Sequence, residues 1–181
     1  MISTVITTTT TITTSDILII ITILGAILHI FLSKAPKTKN RIFEIFLLWI
    51  FLVMIGIGSI WAFIGHVFLA NMVAAQIGWP AGSPFQFEVG IANLSYGILG
   101  ILCLKFRDNF WTATVVAVSI FYWGAAYGHL LNIIQTGNLS PGNAGYALYG
   151  DFIIPLVLIV LFVAYRMTMD KQLAENQSKK K

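Results

Sequence analysis

The chain has 181 residues, of which 57% are hydrophobic and only 10% charged, with a mean hydropathy of +0.85. Soluble domains carry about 25% charged residues, so this composition excludes a soluble globular fold and makes a lipid bilayer the solvent. Eleven Lys and Arg against seven Asp and Glu leave a net charge of +4, and the one cysteine, Cys103, leaves no internal disulfide.

A hydrocarbon layer about 30 Å thick needs about 20 helical residues to cross it. The first apolar run, residues 13–32, follows a threonine-rich segment at 7–14. No basic stretch precedes it and no small-residue cleavage site follows. That predicts an uncleaved helix rather than a signal peptide. Further helices are predicted at 42–75, 87–104, 110–134 and 152–167. The second is long enough to tilt or protrude. The fifth is short, and Arg166 can snorkel from its end to the interface. Asp151 reads as the N-cap of that fifth helix, with Pro155 tolerated near its first turn.

The basic residues fix the orientation of this reading. Lys34, Lys37, Lys39 and Arg41 lie between the first two helices, Lys105 and Arg107 between the third and fourth. Arg166, Lys171, Lys179, Lys180 and Lys181 close the chain. The two remaining connections, 76–86 and 135–150, hold no Lys or Arg. All eleven basic residues thus fall on one side of a five-helix chain, and the positive-inside rule makes that side cytoplasmic. The basic charge therefore serves orientation, and nucleic acid is excluded as a partner. The expected fold is an all-α integral membrane bundle of five transmembrane helices, N-terminus outside and C-terminus inside. Its parts are a threonine-rich segment at 1–14, one transmembrane domain at 15–167 and a basic cytoplasmic tail at 168–181. Trp79, Tyr146 and Tyr149 suit the outer interfacial belt, Trp111 and Tyr165 the inner one.

Helices two and four resemble one another. One reads WAFIGHVFLAN from Trp61 to Asn71, the other WGAAYGHLLN from Trp123 to Asn132. Each carries Trp, Gly-His and Asn, then a Pro/Gly-rich segment with Ser-Pro (Ser83-Pro84 and Ser140-Pro141), then an acid, Glu88 or Asp151. This pattern suits a parallel repeat of two hairpins.

Ionisable groups at membrane depth are costly and point to function by default. His66 and His129 should share one height near the outer boundary, with Glu88 entering from helix three. Two histidines and a carboxylate can bind a metal, two histidines can ligate haem, and a His–Glu pair can move protons. The plainer reading of each histidine is an interhelical hydrogen bond, and that of Glu88 a charge favoured by a helix N-terminus. No HxxxH, ExxH or CxxC spacing is present, so no metal site is assigned. Asn93 shares a face with Gly97 and Gly100, which predicts close helix contact. Gly124 and Gly128 form a GxxxG that predicts another. Asn132 lies one turn beyond His129. Arg41 and Glu44 read as an ion pair three residues apart. Aromatic and proline content predicts that both outer connections pack as a cap. Phosphate loops, a Walker lysine and GxSxG are all missing from the sequence.

Residues 42–163, with GWPAGSPFQFE, the Gly-His of helix four and the SPGN connection, resemble small DoxX-like membrane proteins of bacteria and archaea. The resemblance implies a four-helix core, to which the first helix is an addition, and a redox or accessory role beside quinone-linked redox complexes or partner enzymes. It carries no catalytic residue across. The leading reading is a multi-pass protein of the cell membrane, more an accessory or binding protein than an enzyme. Its outer-leaflet pocket, lined by His66, Glu88, Asn93, His129 and Asn132, would take a small amphipathic ligand such as a quinone or lipid. The bilayer, a homo-oligomer or a redox subunit are the partners in view. A small transporter or channel-like oligomer and a redox or metal enzyme are the alternatives. No cofactor is assigned.

Overall fold

The computed structural model describes residues 13–178. Five membrane-spanning segments run through them, Thr14–Leu32, Lys39–Phe68, Pro84–Leu102, Asn109–Thr136 and Pro141–Gln172, and no strand occurs among the described residues. The fold is the expected all-α bundle. Most of the threonine-rich segment, together with Lys179, Lys180 and Lys181, lies outside the described residues.

The first span is α1 (Thr14–Leu32), started by a capping box. Thr13 takes the amide of Asp16, and the Asp16 carboxylate takes the amide and hydroxyl of Thr13. The second span is composite. It begins as α2 (Lys39–Trp49), widens into a π-helical segment (Ile50–Ile57) and returns to α geometry in α3 (Gly58–Phe68). Leu69 breaks the helix at φ −121° and ψ 31°, and α4 (Ala70–Ile77) carries on beyond it. One long helix is expected here, and the structure differs from it by the widening at Ile50–Ile57 and the break at Leu69.

The third span is α5 (Pro84–Leu102) and the fourth α6 (Asn109–Thr136). α5 begins three residues before its expected start, with Pro84 at N1, and α6 begins one residue before its own, directly after Asp108. The fifth span differs more. A short α7 (Pro141–Ala144) leads into α8 (Tyr146–Ser178), which begins six residues before the expected start and continues past Met167. Asp151 is therefore not an N-cap. It sits inside α8, and Pro155 is an internal proline.

α5 packs along α3 and the π-helical segment, α6 along α8, and α2 along α8, while α1 lies against α2 and the π-helical segment. Spans two and three thus make one hairpin, and spans four and five another. Backbone approach in the first hairpin depends on glycine. A methyl at Gly100 would come 2.6 Å from the Phe51 carbonyl oxygen and 2.7 Å from the Gly56 nitrogen. One at Gly97 would lie 3.0 Å from the Gly56 carbonyl oxygen. The small-residue face of Asn93, Gly97 and Gly100 is a close-contact face, as expected. The GxxxG of Gly124 and Gly128 is not. Both glycines are exposed and nothing lies within 4 Å of where their Cβ atoms would be. α6 packs instead through Trp111, Val115, Val118, Tyr122 and Ala126. That stripe follows the i, i+3, i+4 rule and turns Gly124 outward.

Trp111, expected at the inner interface, is fully buried in the core. Its indole nitrogen donates to the Cys103 carbonyl at 2.8 Å. Its ring meets Phe51 at 5.1 Å and Tyr165 at 5.3 Å, with the Arg107 guanidinium 4.8 Å above it. The same end of the bundle is tied by Glu44, which pairs with Arg41 at 2.6 Å and Arg107 at 3.3 Å. The expected Arg41–Glu44 pair is thus present and extended to the connection after α5. His29 is held by Trp49, whose indole nitrogen donates to its Nδ1 at 3.4 Å.

Candidate functional site

The expected polar pocket separates into two places. The first is a lock between α6 and the start of the fifth span. Asn143, fully buried, directs its amide nitrogen at the carbonyls of Asn138 (2.8 Å) and His129 (3.4 Å). That fixes the amide's orientation, so the Asn143 Oδ1 faces the His129 ring and accepts from Nδ1 at 2.8 Å. Asn138 donates to Asn132 Oδ1 at 2.6 Å and to the Ile77 carbonyl at 2.8 Å, and its own Oδ1 takes the Ser140 amide at 3.0 Å. Gly142 packs on the backbone of Gln76, where a methyl would meet its carbonyl oxygen at 2.8 Å. The connection after α6 is thus docked on the end of α4, the packed arrangement expected of it.

His129 carries the chemistry of this lock. With its Nδ1 proton given to Asn143, its Nε2 looks at Asp151 Oδ2 across 3.7 Å. Both side chains are largely covered, 11% and 23% exposed. At that distance the two groups face one another without a hydrogen bond. The pair joins the last two turns of α6 to the start of α8.

The second place holds His66, Glu88 and Asn93, and there the expected groups do not meet. His66 lies beside Trp79, ring centroids 6.4 Å apart, and its buried Nδ1 has no hydrogen-bond partner among the described residues. Asn93 is buried, but its amide donates at 2.9 Å to the Val89 carbonyl one turn back on its own helix. Glu88 is exposed and has no hydrogen bond or ion pair among the described residues. The reason is helical phase. α5 buries Gln86, Gly90, Asn93, Gly97 and Gly100, and a residue two positions after Gln86 points to the opposite side. Among the described residues no three His, Cys, Asp or Glu side chains stand together in a metal-binding group. Gln86 is the polar residue that α5 does use, donating to the Ala70 carbonyl at 2.7 Å just past the break at Leu69.

A separate cavity lies elsewhere in the bundle. A groove of about 680 Å³ runs between the first, second and fifth spans. Ile19 and Ile23 of α1 form one wall, Phe43, Phe46 and Met54 the floor, and Val157 and Leu161 of α8 the other wall. Thr22 is its one polar residue, and its hydroxyl is spent on the Leu18 carbonyl at 2.8 Å. Ile23, Ile153, Val157 and Val160 along its rim are 42–58% exposed, so the groove is open on one side. The π-helical segment supplies Ile50 and Met54 to it, and such segments recur at functional sites. None of the five expected site residues lines this groove. An apolar lining reads in sequence like any lipid-facing helix, so nothing marked it. Asn138 and Asn143 were also missed. Their signal was the concentration of Asn in the second connection, since the first has none.

No curated protein and no solved structure matches the chain. A family described as "Family of unknown function (DUF6790)" matches residues 12–171. That match spans nearly all of the transmembrane bundle, and the chain belongs to the DUF6790 family.

Proposed function

We propose that this chain is a binding protein of the cell membrane that holds the long apolar tail of a lipid-like amphipath, a membrane lipid or a quinone. The groove between the first, second and fifth spans carries this reading. Its volume of about 680 Å³ falls within the range of small-molecule sites, about 300–1,000 Å³. Its lining offers only dispersion and exclusion of competing chains, which suits a hydrocarbon tail. The lock of His129, Asn132, Asn138 and Asn143 lies apart from it and serves to hold the fifth span in place. The test fills the groove. A Met54→Trp/Val157→Trp double variant should keep its helicity and monodispersity but lose most of the lipid or quinone extracted from purified protein and measured by mass spectrometry. Unchanged extractable material in a folded variant would overturn the reading.

We further infer that the N-terminus faces outward and the C-terminus the cytosol. Lys34, Lys37, Lys39, Arg41, Lys105, Arg107, Arg166 and Lys171 all belong to one end of the bundle, which supports this orientation. Cys103 is fully buried, so an introduced thiol is read against little background. A cysteine at the exposed Leu139 should react with an impermeant maleimide on intact cells, and one at Ala35 should not. The reverse pattern would invert the orientation.

A further inference from the structure

We propose that the groove ends in a headgroup site, in which Lys39 and Lys171 hold the phosphate of an anionic membrane lipid whose tail lies in the groove. This deepens the preceding reading and rests on it. The observation is a second cavity, about 270 Å³, at the basic end of the bundle. Thr38, Lys39, Asn40, Thr168, Lys171 and Gln172 line it. It is built on the same two helices that form the floor and one wall of the groove.

The helical faces also agree. Lys39 precedes Ile42 and Phe43 by three and four residues, and both of these line the groove. Thr168 follows Leu161 by seven residues, two turns down the same face of α8, and Lys171 follows Thr168 by three. Along this line the lining residues change from aliphatic and aromatic to polar and basic, as an amphipath requires.

Charge decides the sign of the ligand. The lining holds two ammonium groups, two amides and two hydroxyls, and no carboxylate. Both lysines are exposed, and neither has an ion-pair partner among the described residues. The nearest acid along α2, Glu44, is already engaged by Arg41 and Arg107. Asp170 precedes Lys171 but does not line the cavity. The start of α2 adds to the attraction. Thr38 caps the amide of Arg41 at 3.2 Å, while the first amides of a helix otherwise lack partners and favour an anion. Asn40 braces the site, donating to the Tyr165 carbonyl at 3.1 Å and to the Thr168 hydroxyl at 3.3 Å. The alignment of the two linings along α2 and α8 points to a lipid rather than a free anion, because a free phosphate would leave the groove unused.

The test is native mass spectrometry of the full chain in neutral detergent, titrated with dioleoyl phosphatidylglycerol or dioleoyl phosphatidylcholine. Each surface lysine is worth about a few-fold in affinity for an anionic lipid, so two should favour phosphatidylglycerol by about tenfold or more. A Lys39→Gln/Lys171→Gln variant should bring the two lipids within about twofold of each other, while Lys39→Arg/Lys171→Arg keeps most of the preference. A Lys34→Gln/Lys105→Gln variant should leave it intact. An equal loss there would mean a diffuse basic surface and would overturn the site. Displacement of phosphatidylglycerol by millimolar inorganic phosphate would overturn the lipid assignment in favour of a free anion. If wild-type protein retains both lipids equally and the groove-filled variant retains neither, the headgroup site is wrong and the groove reading stands. If no lipid is retained at all, both fall.

Discussion

The two Gly-His sequences of this chain occupy matching places in two hairpins and have different fates. Gly128-His129 enters a closed network, in which Asn143 and Asp151 face the two ring nitrogens and Asn132 is held by Asn138. Gly65-His66 stands beside Trp79 with a buried Nδ1 that has no partner among the described residues. The difference arises in the connections that follow. Residues 137–145 contain two asparagines that fold back onto α6 and reach across to the Ile77 carbonyl. Residues 78–83 contain none, so the first hairpin closes through backbone contact of Gly97 and Gly100 with the π-helical segment instead. One hairpin is held by polar side chains and the other by small residues, although the sequences around their histidines look alike.

The contrast breaks most sharply on replacement of the buried amide. Asn143→Ala removes three hydrogen bonds, leaving the Nδ1 proton of His129 and two carbonyls to find other partners. Unsatisfied buried groups cost about 1–3 kcal/mol each in general, but hydrogen bonds within membrane bundles average nearer 0.6 kcal/mol. A loss of about 2 kcal/mol is expected for the variant, measured by SDS titration of folded protein in mixed micelles. His66→Phe removes an unpartnered nitrogen from beside Trp79 and should leave stability unchanged or raise it by about 1 kcal/mol. Equal effects of the two substitutions would mean that the hairpins do not differ as their hydrogen bonds imply.

Much of the fold was legible in the sequence for a simple reason. Spans are set by hydrophobic length and the side of the basic residues, and both are properties of composition along the chain. The Arg41–Glu44 pair and the Asn93–Gly97–Gly100 face followed from helical spacing. What spacing cannot say is which face of a helix finds a neighbour. Gly124 and Gly128 look as suited to contact as Gly97 and Gly100, but the stripe from Trp111 to Ala126 is bulkier and takes the interface. The same ambiguity affected Asp151. A short apolar run beginning at Phe152 suggested a cap, whereas Tyr146, Ala147 and Leu148 continue the helix backward and place the carboxylate opposite His129. The π-helical segment left no readable mark, since Ile50–Ile57 is as apolar as any spanning helix.

Glu88 offers the finest test of the contrast, because it is the counterpart of Asp151 in the sequence pattern and not in the structure. Asp151 lies opposite a histidine. Glu88 sits one turn past Pro84 on the exposed face of α5, between the exposed Phe87 and the half-buried Val89. Its charge gains only what a helix beginning gives a nearby carboxylate, about 0.3–1 kcal/mol at best and falling off after the first turn. Glu88→Gln should therefore alter stability by no more than about 0.5 kcal/mol, and lipid retention by the groove should not change. Asp151→Asn, tested alongside it, loses the partner of a covered imidazole and should be the more damaging of the two. A Glu88→Gln variant that lost bound lipid while keeping its fold would restore Glu88 to a binding site. It would also require the start of α5 to meet a ligand that the groove alone does not reach.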